Sequence, residues 1–123
     1  MALELEDLTG RIIGAAIQVH RELGPGFLES IYENALAIEL KSIGLRVDQQ
    51  FKVAVRYRDI EVGKHRLDLL VESAVVVELK TLRDFEDVHF VIVRSYLKAT
   101  GLKHGLLLNF AKPTLEVKRV IYE

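Results

Sequence analysis

Arg66-Leu67-Asp68-Leu69-Leu70-Val71, a break at Glu72-Ser73-Ala74, then Val75-Val76-Val77-Glu78-Leu79-Lys80: the rest of the chain can be read outward from this stretch. Its residues are aliphatic and largely β-branched, the composition of two buried strands. Asp68, Glu78 and Lys80 interrupt it with charge. A reversal around Ser73 sets Asp68 opposite Glu78 and Arg66 opposite Lys80. Strand side chains alternate, so Arg66, Asp68, Glu78 and Lys80 are expected on one face, and Leu67, Leu69, Val71, Val75, Val77 and Leu79 on the other. Directly opposed residues have Cβ atoms roughly 4.5–5.5 Å apart, and like charges so placed repel. Two facing carboxylates on an apolar hairpin call for a cation. One answer is a divalent metal with Lys80 beside it. The other is a salt-bridge cluster in which Arg66 and Lys80 neutralise Asp68 and Glu78, and charge pattern alone favours this one, because structural ion-pair networks are common.

On the N-terminal side, Ile12, Ile13, Ala16, Ile17, His20 and Leu23 recur at helical spacing, predicting a helix from Leu8 to about Leu23 with Thr9 or Asp7 as its cap. Gly24-Pro25-Gly26 stops it. A second helix is predicted from Phe27 to Ile43, with Ile31, Tyr32, Ala35, Ile38 and Leu40 inward and Gly44 at its end. Leu45–Gln50 and Phe51–Arg58 follow, the second alternating as a strand with one polar face, and Asp59 and Gly63 mark turns around Ile60–Val62. On the C-terminal side, Asp84 or Asp87 opens a helix to about Thr100, with Phe85, Val88, Ile92, Tyr96 and Ala99 on its buried stripe. Gly105–Phe110 is a buried strand and Leu115–Tyr122 a last alternating one. The order ααβββαββ, with a crossover helix after a three-strand meander, predicts an α/β fold whose mixed central β-sheet is flanked by helices.

At 123 residues the chain is expected to form one domain, 1–123, large enough for a single core. A net charge of −1 and a pI near 6.4 exclude a globally basic nucleic-acid binder, so any such surface must be a local patch. Arg56, Arg58, Lys64, His65, Arg66, Arg83, Arg94, Lys98 and Lys103 could form a basic rim, although for most of them scattered surface charge is the simpler reading. The absence of cysteine excludes disulfides and thiolate chemistry. The N-terminus lacks a signal-peptide core, and no apolar run approaches the ~18 residues of a membrane span. A cytoplasmic location and no membrane partner are the expectation.

Asp68, followed by Glu78-Leu79-Lys80 on the next strand, resembles the Asp…Glu-x-Lys signature of the PD-(D/E)xK nuclease superfamily. Upstream, Gly26-Phe27-Leu28-Glu29-Ser30-Ile31-Tyr32 resembles the motif that names the GxxExxY protein family, a bacterial and archaeal branch of it. Joined in this order and spacing the two patterns are specific, and the resemblance runs from about Leu8 to the C-terminus. It implies a restriction-endonuclease-like core with one extra helix in front.

The resemblance also assigns roles. Asp68 and Glu78 would be metal ligands with the backbone carbonyl of Leu79, and Lys80 would orient the attacking water. Hard carboxylate oxygens suit Mg²⁺ or Mn²⁺. Glu29 would join the metal site; read without the family it is a first-turn carboxylate favoured by the helix dipole. Glu33, one turn on, is a lesser candidate ligand, and Tyr32 is expected to be mainly structural. The four histidines show no metal-ligand spacing. His89 and Tyr96-Leu97 match a His and a Tyr-Leu of relatives, but Ile92 replaces their Gln, which leaves Arg94 and Ser95 as substitutes. Arg66 and Tyr96 complete the supporting set.

The function expected is a metal-dependent nuclease acting on DNA rather than RNA, as a homodimer that doubles the grip of one small domain. The alternative is a noncatalytic nuclease-fold module for interaction or nucleic-acid binding.

Overall fold

The computed structural model describes residues 2–123, with residues 2–4 as backbone alone. Two helices come first, α1 (Ala2–Leu23) and α2 (Glu29–Ser42). A meander follows: β1 (Val47–Tyr57), β2 (Ile60–Val71) and β3 (Val75–Lys80). Helix α3 (Asp87–Thr100) then carries the chain over to β4 (His104–Asn109) and β5 (Glu116–Ile121). The strands lie in sequence order, antiparallel except for the parallel β3–β4 pair. This is the expected mixed sheet in the order ααβββαββ.

Helix ends follow local chemistry. Gly24 (φ 70°) closes α1 with its N–H on the His20 carbonyl at 2.8 Å, and Gly101 (φ 75°) closes α3 on that of Leu97. The start of α1 differs from the sequence reading. It begins at Ala2, so Thr9 caps nothing; its hydroxyl donates to the Glu6 carbonyl and accepts from Arg119 on β5. The strand predicted over Phe51–Arg58 starts earlier, at Val47, and ends at Tyr57. The predicted turn at Ile60–Val62 is the start of β2, because the chain reverses one step earlier on Arg58 and Asp59, both at positive φ.

Each face of the sheet is covered. On one, Ile12, Ala16, Tyr32, Leu36 and Leu40 of α1 and α2 pack on Leu69, Val71, Val75, Val77 and Leu79. On the other, Val93 and Leu97 of α3 pack on Leu67, Leu70, Val76, Leu107 and Val120. The inward faces of two helices are rotated from those predicted. Ile31 and Ile38 of α2 are exposed while Leu36 and Ala37 are buried, and α3 buries Val93 and Leu97 while Val88 is exposed. Both helices are apolar on several sides, so periodicity allowed two stripes and packing selected one.

A third difference bears on the site. Leu67 lies with the α3 layer, not with Leu69 and Val71. The β1–β2 register is unbroken from Gln49↔Leu69 to Phe51↔Leu67, but between those pairs Gln50 adopts φ 51°. Side-chain alternation therefore slips at the Gln50/Asp68 step.

Gly105 lets α3 approach β4. A Cβ there would lie 2.7 Å from Val93 Cγ1 and 3.6 Å from the Val76 carbonyl. Val93 is β-branched and buried, so the helix itself would have to move. Gly105→Ala is expected to lower the unfolding free energy by about 1–3 kcal/mol, measured by urea titration; an unchanged midpoint would show that α3 is held less tightly than this.

Candidate active site

Strands β2 and β3 pair only from Val71↔Val75 to Leu69↔Val77. Beyond that they part, β2 staying with β1 and β3 with β4. Leu79, 1% exposed, lies just past the fork, and its N–H has no strand to donate to. An unsatisfied buried N–H costs about 1–3 kcal/mol. Asp68 removes that cost: its Oδ2 accepts the Leu79 N–H at 2.9 Å. Successive strand residues aim their backbone groups at opposite edges. The Lys80 carbonyl faces β4, accepting the Phe110 N–H at 2.9 Å, so the Leu79 carbonyl faces the fork along with its N–H.

Glu78 is 5% exposed. Lys80 Nζ lies 3.3 Å from its Oε2, while Oε1 is buried with no hydrogen-bond partner among the described residues. Burial first, then the nearby Asp68 carboxylate, push the Glu78 carboxyl up to about 8, against the pull of Lys80. One lysine therefore does not neutralise the pair, and a proton on Glu78, which the Asp68 carboxylate can accept, relieves it. The expected salt-bridge partner Arg66 supplies no second cation. Arg66 is exposed, pairs laterally with Lys52, and makes no ion pair among the described residues. The slip at Asp68 turns it off the face that Glu78 and Lys80 share, so the four-charge face read from strict alternation is not formed.

Helix α2 meets the fork from the other side. Gln50 Nε2 donates to Glu33 Oε1 at 2.7 Å and reaches Asp68 Oδ1 at 3.5 Å, while Gln49 donates to Glu33 Oε2 at 2.9 Å. Glu33, the lesser candidate, is thus the α2 acid linked to Asp68. Glu29 reaches Thr81, just past Lys80, accepting from its N–H and its hydroxyl at 3.2 Å each. Tyr32 is fully buried, stacked on Phe110 with centroids 4.6 Å apart. Its hydroxyl donates to the Gly24 carbonyl and accepts the Phe27 N–H, clasping the turn that holds Gly26 at φ 114°. The glutamines and Thr81 were missed in the sequence.

From α3, His89 Nδ1 accepts the Glu86 N–H at 2.8 Å and so caps its own helix. Tyr96 packs edge-on against His65 at 4.7 Å. Burial, followed by the charges of Glu78 and Asp68, pushes its hydroxyl up to about 12.

A mixed sheet between helical layers, with paired acids and a lysine where two central strands diverge, defines a restriction-endonuclease-like nuclease fold. The profile of the PD-(D/E)XK nuclease superfamily matches residues 6–120, and the chain belongs to that superfamily. No curated protein matches it. The crystal structure of SSO0001 is similar at a TM-score of 0.58 and 19% identity, over 75% of this chain and 48% of that one. That likeness is one of fold, and this chain spans about half the length of that protein. Nucleases of the superfamily generally use divalent metal ions. Among the described residues no three His, Cys, Asp or Glu side chains cluster to hold one. The donors that fit are two carboxylates and a backbone carbonyl, a set suited to an ion that keeps several waters.

Two stability measurements in EDTA probe this geometry. Asp68→Ala orphans the Leu79 N–H and should cost about 1–3 kcal/mol, whereas Asp68→Asn keeps an acceptor, relieves Glu78 and should cost little or raise stability. Equal losses in both would mean that Asp68 acts chiefly as a salt-bridge anion. The second concerns pH. The folded protein holds the Glu78 proton to about pH 8, while the unfolded chain releases it near the ordinary 4.5. The stability linked to this group is complete below 4.5 and is lost as pH rises through 8. Thermal unfolding across that range should show a decline in wild type that Glu78→Gln reduces.

Proposed function

We propose that the chain, as one catalytic domain of the GxxExxY branch, is a metal-dependent nuclease that hydrolyses phosphodiester bonds, with DNA as substrate. The observation that carries this reading is the buried, unpartnered Glu78 Oε1 facing Asp68 beside Lys80. Asp68, Glu78 and the Leu79 carbonyl would hold Mg²⁺ or Mn²⁺. When bound, the ion supplies charge to polarise a phosphoryl oxygen and to ionise water. Lys80 brings a cation to the same face, placed to orient the attacking water and to offset charge on the phosphate. Asp68 is kept on station by the Leu79 N–H and Gln50, and Glu29, held on Thr81, brings a further acid to the end of β3. Tyr96 offers a hydroxyl that stays protonated at neutral pH, suited to donating to an anionic substrate. The Gly26–Glu29–Tyr32 spacing supports the branch, since each residue has a distinct duty in joining α2 to the fork.

The test is cleavage of single-stranded, duplex and branched DNA, and of RNA, with Mg²⁺, Mn²⁺ or EDTA. Wild type should cut DNA only with metal, and Asp68→Asn, Glu78→Gln and Lys80→Ala should each reduce the rate by roughly 10²-fold or more. Activity surviving all three changes would place the chemistry elsewhere. A folded wild type inert on every substrate would favour the noncatalytic module.

A further inference from the structure

A concavity of about 420 Å³ lies between the β1–β2 hairpin and α3. Its polar lining is Arg56, His65, Ser95 and Lys98, and no acid lines it. Arg56 and Lys98 are exposed and make no ion pair among the described residues. Ser95 Oγ donates to the Ile92 carbonyl at 2.6 Å and lies 3.2 Å from His65 Nε2, which fixes both side chains at the wall. In a chain of net charge −1, Arg56 and Lys98 bring two formal positive charges to one hollow, with Glu61 opposite Arg56 across the β1–β2 pair. The guanidinium of Arg56 and the ammonium of Lys98 are donors that suit a phosphate. The pocket and the fork share a strand: His65 stands three residues before Asp68 on β2, and its ring packs on Tyr96 of α3.

We propose that this pocket is a backbone-phosphate subsite, in which Arg56 and Lys98 hold a phosphate of the strand being cut, set apart from the scissile one. The proposal rests on the nuclease reading and adds where the strand runs. It leaves the fork and extends along the β1–β2 hairpin side of α3, with Tyr96 presenting an aromatic ring on the path. Single-strand binders combine a basic track with aromatic faces in this way. Arg56 and Lys98 are positioning residues, remote from the reacting atoms.

The test uses the whole protein and a labelled single-stranded DNA oligonucleotide, with binding followed by fluorescence anisotropy in EDTA over a range of salt. Arg56→Gln/Lys98→Gln is compared with Arg21→Gln/Lys41→Gln, which removes the same charge from exposed sites in the last turns of α1 and α2. The pocket variant should bind about tenfold more weakly, with a salt slope shallower by roughly 0.7 for each phosphate no longer neutralised. The distal variant should stay close to wild type. In the metal-dependent cleavage assay the pocket variant should raise KM and keep kcat. Equal weakening by both variants, no weakening by either, or a loss confined to kcat would overturn the subsite. Wild-type cleavage in that same assay would leave the nuclease reading standing; a wild type that neither binds nor cuts would remove both.

Discussion

A single backbone hydrogen-bonding problem underlies the site. Two central strands part after a short ladder, and a buried N–H is left facing the gap. Hydrophobic packing cannot satisfy it, because both faces of the sheet are covered by apolar layers and no strand fills the fork. The Asp68 carboxylate does so at 2.9 Å. An acid that could act on substrate is therefore also what lets the sheet open where it does. The two duties reinforce each other, since a side chain tied to Leu79 gives up little freedom when it must later hold a fixed position.

The same covering layers set the electrostatics. Glu78 is on a strand buried from Val75 to Leu79, and desolvation outweighs the attraction of Lys80. With Asp68 close by, the pair favours keeping a proton over bearing two charges. Such a pair is costly for a resting protein and useful for one that binds a small hard cation, which reverses the balance by bringing charge of its own. The apolar sheet is what makes two uncompensated charges costly at this place.

Support for the fork comes from segments far apart in the chain. Glu33 on α2 holds Gln49 and Gln50 on β1, and Gln50 reaches Asp68 on β2. Glu29 ties the start of α2 to Thr81. Asn109, fully buried at the end of β4, holds both the N–H and the carbonyl of Leu82, fixing the chain as it leaves β3. On the α3 side, Tyr96 packs on His65 at the wall of the basic hollow. The hollow's basic residues come from β1, β2 and α3, so no local stretch of sequence displays them together.

The sequence by itself determined the elements, their order and the identity of the central charged residues. Apolar runs, glycine stops and the reversal near Ser73 are local properties, and so is the Asp…Glu-x-Lys spacing. What only the tertiary structure decided are the matters in which two local answers were equally good. Ile31 and Ile38, or Leu36 and Ala37, could each have formed the inner stripe of α2, and docking on the sheet selected the second. Strict alternation put Arg66 with Asp68 and Leu67 with Leu69. The left-handed backbone at Gln50 broke that alternation, and nothing local in a Gln-Gln pair announces it. The divergence of β2 from β3, the orphaned oxygen of Glu78 and the gathering of Arg56, His65 and Lys98 all depend on which strand lies beside which. Those are long-range pairings, settled by burial and hydrogen-bond satisfaction over the whole chain and by no short stretch of it.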